Sequence, residues 1–342
     1  GRPLVYDGRC RELSADECGR YEAEGRAAVI RLRVPEGGTT VVNDLIKGDV
    51  EFENAILGDF ILVRSSGVPT YNFAVAVDDA GMGMTHVIRG DDHLPNTPRQ
   101  LAVFEAMGKT PPAYGHLPLI LGSDRAPLSK RHGAFSVEEF RSRGFVREAL
   151  CNYLALLGWS LDGETTLMSI DELIAGFSLE RVGSTAAVFD NEKLLWMNGH
   201  YIREMDVGEL ADRIEEFLTE TRLAGLPGAN GKPKVASLVP LVQEKMKTLA
   251  DFVELTDIFY LPLVFEEKAL ARLRKDANAP SVLEGAARIL EGLQPFEVTD
   301  LDVALRRLSE QLEWQLGKFL PPIRFPLCGK TVTPVTSATP HG

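Results

Sequence analysis

Residues 85–121 predict a strand, a helix and a second strand in succession, and this pattern constrains the fold more than any other feature. Thr85 to Arg89 is a short apolar run typical of a buried strand. Asn96-Thr97-Pro98 supplies a helix cap followed by proline in the first turn, and Gly108 marks the end of the helix. Leu117 to Leu121 is the second strand. A β–α–β unit of this kind predicts a parallel sheet.

Two polar clusters follow these strands, and ligands of parallel sheets gather at the carboxyl ends of the strands. The first is Arg89-Gly-Asp-Asp-His93, and the second is Ser123 to His132. Within the second, Lys130 is a mobile point charge suited to phosphate, and Ser129 can donate a hydroxyl hydrogen bond beside it. These two side chains predict that the loop contacts ATP phosphates and stabilises the negative charge that develops on a pyrophosphate leaving group. A solvated basic turn is the alternative, in which Arg131 and His132 also face water.

Arg89 lies at the end of a predicted buried strand, where a guanidinium needs an acidic partner. Asp91 and Asp92 could form an internal ion pair with it. Alternatively, Arg89 binds an acidic substrate and Asp92 binds an amino group or a ribose hydroxyl. His93 is either a hydrogen-bond donor at the same edge or a structural histidine, and Tyr71 is either a ligand contact or a core aromatic. No nucleophile motif is present, so the site is expected to position and neutralise anions without a covalent intermediate.

Composition sets wider limits. The chain has 342 residues, 44% hydrophobic content, a net charge of −12 and no apolar run as long as a membrane span. The acidic charge argues against a nucleic-acid partner when taken alone, but residues 125–147 form a locally basic segment. The cysteines are scattered, which favours a reducing cytoplasm, and Cys151 is expected to be a core thiol.

The rest of the chain changes from β-rich to helical. Strands are predicted over 28–34, 41–42, 50–52 and 60–63, after a short helix that begins at the capping box Ser14 to Glu17. Further capping boxes at Ser136 and Ser169 begin helices. Asp190 is predicted to cap a helix that runs through Met197, with Gly199 beyond its end. Additional helices are predicted over 146–157, 206–219, 237–249, 267–274, 281–293 and 300–312.

Nine segments resemble bacterial glutamyl-tRNA synthetases, and they occur along this chain in the same order as in that family. Each segment alone is weakly specific, whereas the ordered set is highly specific. The segments are 6–10, 67–74, 86–93, 96–100, 116–122, 127–134, 148–159, 193–198 and 329–332.

The resemblance implies a class I aminoacyl-tRNA synthetase. Its α/β part would be a partial Rossmann-type catalytic domain with a β-rich insertion, and an all-α C-terminal domain would follow it. Residues 1–68 would be the acceptor-stem insertion, 69–123 the second Rossmann half, 124–206 the stem-contact region, and 207–342 a truncated anticodon-binding domain. The expected reaction joins glutamate and ATP, assisted by Mg²⁺, into glutamyl-adenylate and transfers the acyl group to tRNA(Glu). The expected enzyme is a cytoplasmic monomer.

The resemblance also implies roles for individual residues. Leu128 to Arg131 matches the "KMSKS" loop, which places Ser129, Lys130 and Arg131 on ATP. Leu119 and Ile120 match positions lining the adenine pocket, and Asp92 and His93 match the edge of the ATP site. Tyr71 and Arg89 match glutamate-binding positions.

Departures from the family pattern qualify these expectations. The "HIGH" motif and its half of the Rossmann domain precede Gly1 in the family, and the resemblance stops near Val332, so the sequence is expected to be a fragment with negligible activity alone. Pro127 replaces the first lysine of the loop motif, and Asp91 stands where glutamate is usual. Glu12 occupies the place of a zinc-binding histidine, so no zinc is expected.

Other functions remain as alternatives. The chain could be a non-catalytic tRNA-binding remnant or paralogue, which the missing motif makes a serious alternative. A glutamyl-queuosine tRNA(Asp) synthetase is disfavoured because residues 207–320 supply a helical domain that those enzymes lack. A glutaminyl-tRNA synthetase is disfavoured because its anticodon region is a β-barrel.

Overall fold

The computed structural model describes residues 6–129, 136–220, 233–295 and 297–329. The chain divides into two compact units, the first containing residues 1–134 and 151–190, and the second residues 135–150 and 191–342. Among the described residues, no helix has both the length and the apolar character needed to cross a bilayer.

The first unit is organised around a mixed sheet. Its strands are β1 (Ile30–Leu32), β2 (Thr39–Asp44), β3 (Gly48–Glu53), β4 (Phe60–Val63), β5 (His86–Gly90) and β6 (Ala113–Leu117). The four-stranded sheet has the order β3-β2-β6-β5, and β1 pairs with β4 in a separate antiparallel ribbon. β2 and β3 form an antiparallel hairpin, whereas β6 runs parallel to both β2 and β5. The sheet therefore combines strands from both sides of residue 68.

The helices occupy most of the remaining chain. Up to residue 190 they are α1 (Ala15–Ala23), α2 (Asn54–Leu57), α3 (Tyr71–Met82), α4 (Thr97–Ala106), α5 (Val137–Ser142), α6 (Arg147–Leu156) and α7 (Ile170–Gly176). After it they are α8 (Asn191–Glu204), α9 (Val207–Glu220), α10 (Val235–Val242), α11 (Asp251–Thr256), α12 (Glu267–Lys275), α13 (Ala279–Gly292), α14 (Val298–Gln311) and α15 (Leu316–Cys328).

The predicted β–α–β unit is confirmed by β5, α4 and β6, with β5 and β6 parallel. Its apolar core is formed by Ala76 from α3 with Val103 and Phe104 from α4. The helix α3 was not predicted, because Asp78-Asp79 and Gly81 obscure its periodicity and only Ala76 is fully buried.

The second predicted strand was wrong in its position. The strand is Ala113–Leu117, not Leu117 to Leu121, and its buried centre is Tyr114-Gly115-His116. Pro118 follows directly and lacks the N–H that a continuing ladder requires. Leu119 is 37% exposed, and only Leu121 keeps strand-like bridges, to Pro127 and Val188. The buried strand therefore contains polar side chains, which an apolar pattern does not detect.

Helix beginnings were predicted well. The capping boxes at Ser14, Ser136 and Ser169 are all formed, each with a glutamate three residues later that bonds back to the serine N–H. This agrees with the local nature of the motif, whose contacts lie within one turn.

The second unit is a bundle of helices with two apolar cores. The larger core combines Val146 and Ala149 with residues of α8 to α11, and the smaller joins α13 to α15 through residues such as Val282 and Phe319. Among the described residues of this unit there is no strand, in agreement with the helical C-terminal domain predicted from the sequence.

Several details of the helical prediction were wrong. The helix α8 continues through Gly199 to Glu204. Gly199 is a close-packing position and not a helix end, because a Cβ there would lie 3.3 Å from Met246 O. The helix predicted over 237–249 ends at Val242, after which Gln243 donates to the Ile202 and Met205 carbonyls.

The burial of one cysteine and the presence of two helices also differ from the expectations. Cys151 was expected in the core, but it is exposed on α6. The helices α11 and α15 were not predicted. In α15 the cause is composition, because Pro321, Pro322 and Pro326 lie within the helix.

Candidate active site

The carboxyl ends of β5 and β6 carry the polar residues that the sequence singled out. After Gly90 the chain enters a 3₁₀ turn, Asp91–Asn96, which leads directly into α4. Asp91 does not pair with Arg89. Its Oδ2 accepts from Lys47 Nζ at 2.8 Å, and the same ammonium donates to Ser184 O at 3.2 Å. Lys47 thus links the β2–β3 turn to this edge of the sheet.

Arg89 is held by neutral acceptors. Its Nε donates to His116 Nε2 at 3.1 Å, and its Nη2 donates to Thr97 Oγ1 at 2.9 Å and to Gln100 Oε1 at 2.8 Å. Among the described residues, Arg89 forms no ion pair and its Nη1 makes no hydrogen bond. The internal ion pair with Asp91 or Asp92, one of the two alternatives from the sequence, is therefore wrong for these residues. The guanidinium therefore has no carboxylate in contact with it, and Asp79 acts on it only at longer range.

His116 connects Arg89 to a buried carboxylate. The His116 Nδ1 lies 2.5 Å from Asp44 Oδ2, and both side chains are completely buried. Asp44 Oδ1 also accepts backbone N–H groups of Ile46, Lys47 and His116 at 3.0, 2.9 and 3.1 Å. Burial would raise the pKa of Asp44, but the hydrogen bonds from His116 and from these backbone groups outweigh it and lower the pKa below its usual value.

The network extends to the start of α3. Gln100 Nε2 donates to Asn72 Oδ1 at 3.3 Å, next to Tyr71 at the first position of the helix. Tyr71 is 52% exposed, so it is not a core aromatic, and its ring centroid lies 6.1 Å from that of His93. Arg89, Tyr71 and His93 thus belong to one connected surface.

Asp92 and Leu119 meet at Gly90. A Cβ at Gly90 would lie 2.5 Å from Asp92 Oδ1 and 3.9 Å from Leu119 Cδ2, so the close approach of these side chains requires glycine. His93 Nε2 lies 3.8 Å from Asp92 Oδ2. Asn96 precedes α4 as predicted, but its side chain contacts His93 Nδ1 at 3.4 Å and does not cap the helix.

The base of the basic loop is a tight antiparallel turn. Leu128 N donates to Ile120 O at 2.8 Å, and Gly122 N donates to Ala126 O at 2.8 Å. Arg125 has a φ of 61°, and Asp124 Oδ1 accepts from Ala126 N. Ser129 is half-buried at the end of this turn. Lys130, Arg131 and His132 lie outside the described residues.

The structure brings together five of the residues named from the sequence, Tyr71, Arg89, Asp92, His93 and Leu119, and it places Ile120 at the base of the loop. Sequence reasoning missed Asp44, Asn72, Thr97, Gln100 and His116 as site residues. Asn72, Thr97, Gln100 and His116 lie in segments that carried the family resemblance, which was the available signal. Asp44 had no signal of this kind. Groups of three or more metal-ligand side chains do not occur among the described residues.

Comparison with known proteins agrees with this geometry. A family described as "tRNA synthetases class I (E and Q), catalytic domain" matches residues 2–196, and "Anticodon binding domain" matches residues 209–339. The chain is 43% identical over 336 residues to a glutamate–tRNA ligase of Moorella thermoacetica, covering 98% of this chain and 69% of the relative. It is 42% identical over 337 residues to glutamate–tRNA ligase 1 of Caldanaerobacter subterraneus subsp. tengcongensis, with the same coverage.

Solved structures give the same result. The crystal structure of a glutamate tRNA ligase from Elizabethkingia meningosepticum, in complex with its amino acid, matches with a TM-score of 0.81 and 28% identity. The match covers 96% of this chain and 69% of that one. A glutamate–tRNA synthetase from Elizabethkingia anophelis matches with a TM-score of 0.77, covering 95% of this chain and 68% of that one.

The parallel β–α–β unit with its polar edge, followed by a helical domain, is thus the architecture of a class I aminoacyl-tRNA synthetase. The resemblance and the fold class inferred from the sequence are confirmed. Within that class, the chain belongs to the glutamate–tRNA ligase family. The match to an anticodon-binding domain also agrees with the preference against a glutamyl-queuosine synthetase.

Proposed function

We propose that this chain supplies part of the glutamate-activating site of a glutamate–tRNA ligase. In that reaction a glutamate carboxylate attacks the α-phosphate of ATP, glutamyl-adenylate forms, and pyrophosphate leaves. The acyl group then passes to the 3′ end of tRNA(Glu). The observation that carries the proposal is the Arg89 guanidinium at the carboxyl edge of the parallel strands, which contacts only neutral acceptors among the described residues.

Arg89 and Tyr71 are the proposed glutamate-binding residues. With Nε and Nη2 engaged by neutral acceptors, the Nη1 hydrogens of Arg89 remain for a carboxylate. An arginine held in this way can meet a carboxylate oxygen through Nη1 in a charge-assisted hydrogen bond. Tyr71 is exposed at the start of α3 and offers a hydroxyl to the same ligand.

The proposed ATP site lies at the same edge. Leu119 and Ile120 line the adenine, and Asp92 and His93 contact the nucleotide beside them. Ser129, Lys130 and Arg131 contact the phosphates, where the lysine stabilises the charge that develops on pyrophosphate. Asp91 is already paired with Lys47, and the described residues hold no metal-ligand cluster, so Mg²⁺ would be carried on the ATP phosphates.

Calorimetric titration of the chain with glutamate tests the role of Arg89. Arg89→Gln removes the charge but keeps a hydrogen-bonding side chain, and we expect glutamate binding to weaken by about 30-fold or more, since losing one partner of a buried charge pair costs about 2–5 kcal/mol. Arg89→Lys should give an intermediate loss, because it keeps the charge without the fork. ATP binding should be unchanged in both variants.

Arg99→Gln is the matched control. Arg99 lies on α4 next to Gln100, which binds Arg89, but its own Nη1 donates to Pro95 O. Its replacement should leave glutamate affinity unchanged. Native glutamate affinity in Arg89→Gln would show that the guanidinium does not bind the amino acid.

The proposed partner is tRNA(Glu), bound through both the catalytic region and the helical domain. We expect a gel-shift titration of the chain to show tighter binding of tRNA(Glu) than of tRNA(Asp), with an affinity that falls as salt is raised. Equal affinity for both tRNAs would contradict this assignment.

A further inference from the structure

We propose that Asp44 and His116 are positioning residues for Arg89: Asp44 fixes the tautomer of His116, and His116 in turn holds the guanidinium in the orientation that receives a carboxylate. This inference rests on the proposed function, because it assigns Arg89 a carboxylate ligand. Asp44 lies in β2 and His116 in β6, and neither is proposed to contact the ligand, which Arg89 and Tyr71 bind.

The hydrogen bonds around Asp44 fix its carboxylate in one orientation, and they favour the ionised form by lowering its pKa. Oδ1 accepts three backbone N–H groups, from Ile46, Lys47 and His116, and Oδ2 faces His116 Nδ1 at 2.5 Å. Backbone N–H groups can only donate, so Oδ1 must act as an acceptor toward all three. The carboxylate cannot rotate without losing these bonds.

The tautomer of His116 follows from this arrangement. With an acceptor at Oδ2, the ring carries its proton on Nδ1, and the lone pair on Nε2 faces the Arg89 Nε–H at 3.1 Å. In the opposite tautomer two N–H groups would face each other. Thr97 Oγ1, at 3.2 Å from Nε2, adds a second contact on the same side.

The orientation of the guanidinium depends on this acceptor. Thr97 and Gln100 both bind Nη2, and only His116 binds Nε. Acceptors on two different nitrogens fix the plane of the group, which directs Nη1 outward. Neutral imidazole is suited to this task, because it orients the arginine without neutralising the charge that the substrate must meet.

A purely structural role would be served as well by apolar side chains. A buried carboxylate is expensive to desolvate, and well-packed apolar residues often replace buried charged groups without loss of stability. The completely buried Asp44 and His116 instead lead to Arg89, whose guanidinium forms no ion pair among the described residues.

Asp44→Asn provides the first test. The three backbone donors hold the amide oxygen at the Oδ1 position, so the amide NH₂ faces His116 Nδ1 and forces the proton onto Nε2. We expect at least tenfold weaker glutamate binding, with ATP binding unchanged. In the His116→Leu background the same change should alter glutamate affinity less than about twofold, because leucine has neither a tautomer to invert nor an amide to flip.

His116→Gln and His116→Leu form a second, matched pair that does not depend on Asp44→Asn folding. Both remove the Nδ1–H donor, but only glutamine places an acceptor near the position of Nε2. We expect the leucine variant to bind glutamate at least tenfold more weakly than the glutamine variant. Equal affinities in this pair would overturn the positioning role.

Nitrogen-15 NMR of the histidine-labelled full chain reads the tautomer directly. The wild type should show His116 protonated on Nδ1, and Asp44→Asn should show it protonated on Nε2. A wild-type proton on Nε2, or an inverted tautomer with unchanged glutamate affinity, would overturn the proposal. Failure of the wild type to bind glutamate would instead refute the proposed function, and the positioning role with it, whatever tautomer the spectrum shows.

Discussion

Tyr114 lies beneath Arg89 and offers it an aromatic face instead of a charge. The Arg89 Cζ is 5.5 Å from the ring centroid, and Tyr114 stacks beside His116 on the same strand. Burial raises the pKa of Tyr114 to about 12, although the charge of Arg89 acts in the opposite direction. The phenol is therefore neutral over the physiological pH range, and Arg89 keeps its charge for a ligand.

The Tyr114 hydroxyl is buried and has no hydrogen-bond partner among the described residues. Since an unpaired buried hydroxyl costs about 1–3 kcal/mol, we expect Tyr114→Phe to leave the free energy of unfolding unchanged or to increase it. Denaturant unfolding of the two proteins measures the difference.

Tyr153→Phe is the matched control for this substitution. The Tyr153 hydroxyl accepts from Asp190 N at 2.6 Å, in the same unit of the chain. Its loss leaves a peptide N–H without its partner, so we expect a decrease of about 1–2 kcal/mol. A larger loss for Tyr114→Phe than for Tyr153→Phe would mean that the Tyr114 hydroxyl has a partner in solution.

At the scale of single residues, the sequence identified charged groups better than the groups that hold them. Arg89, Asp92 and His93 stand out because charges at the end of a strand need an explanation. Asp44 is 72 residues away from His116, and it follows the predicted strand 41–42 without any motif that marks it as a site residue. The pairing depends on β2 lying next to β6, and nothing in either segment alone specifies that contact.

At the scale of elements, the sequence predicted strands by the rule that a short apolar run forms one. The strands β2, β3 and β5 contain such runs and were predicted, although Val41 and Ile88 are exposed. In β6 the rule fails, because Tyr114 and His116 are buried polar side chains while Leu119 is exposed. Helix starts were predicted more reliably than helix ends, since a capping box is local, whereas Gly199 is explained by packing against residues 246–247.

Gly144 follows α5 and combines two constraints that can be separated. Its φ is +82°, and a Cβ there would lie 2.6 Å from Ala250 N and 2.8 Å from Leu249 N. Gly144 O also accepts from Leu249 N at 2.8 Å. The residue is therefore both left-handed and in contact with the segment before α11.

We expect Gly144→Ala to lower the free energy of unfolding by about 3 kcal/mol, of which roughly 1 kcal/mol is the left-handed backbone and the rest is steric. Gly163→Ala is the control, because Gly163 has a φ of +87° with nothing within 4 Å of a Cβ. It should cost only about 1 kcal/mol. Equal losses in denaturant unfolding would show that the chain before α11 yields to the added methyl group.

At the scale of the whole molecule, the sequence established the change from α/β to all-α but not the division into units. Residues 135–150 belong with the helical unit, and residues 151–190 belong with the sheet. The boundary crosses the helix α6, and a helix shows no change in composition where two cores divide it. Boundaries based on linkers or on composition therefore could not locate it.

The helical unit contains an ion pair that makes its stability depend on acid pH. Arg213 of α9 donates from Nη1 and Nη2 to the two carboxylate oxygens of Glu148, each at 2.9 Å. The two side chains are only 23% and 19% exposed. Burial would raise the pKa of Glu148, but the hydrogen bonds from Arg213 and Arg147 outweigh it and lower the pKa to about 2.

Because the folded-state pKa is depressed, the stabilisation from Glu148 is fully present above its unfolded pKa of roughly 4.5 and is lost as pH falls toward 2. A shift of this size corresponds to at most about 3 kcal/mol. We therefore expect Glu148→Gln to be less stable than the wild type by up to that amount at pH 7, with the difference vanishing near pH 2.

Glu209→Gln, which removes the more exposed partner of Arg213, should cost no more than about 0.5 kcal/mol. Unfolding free energies measured at a series of pH values decide the point: a Glu148→Gln difference that stays constant from pH 7 to pH 2 would show that packing, and not the charge of Glu148, accounts for the loss.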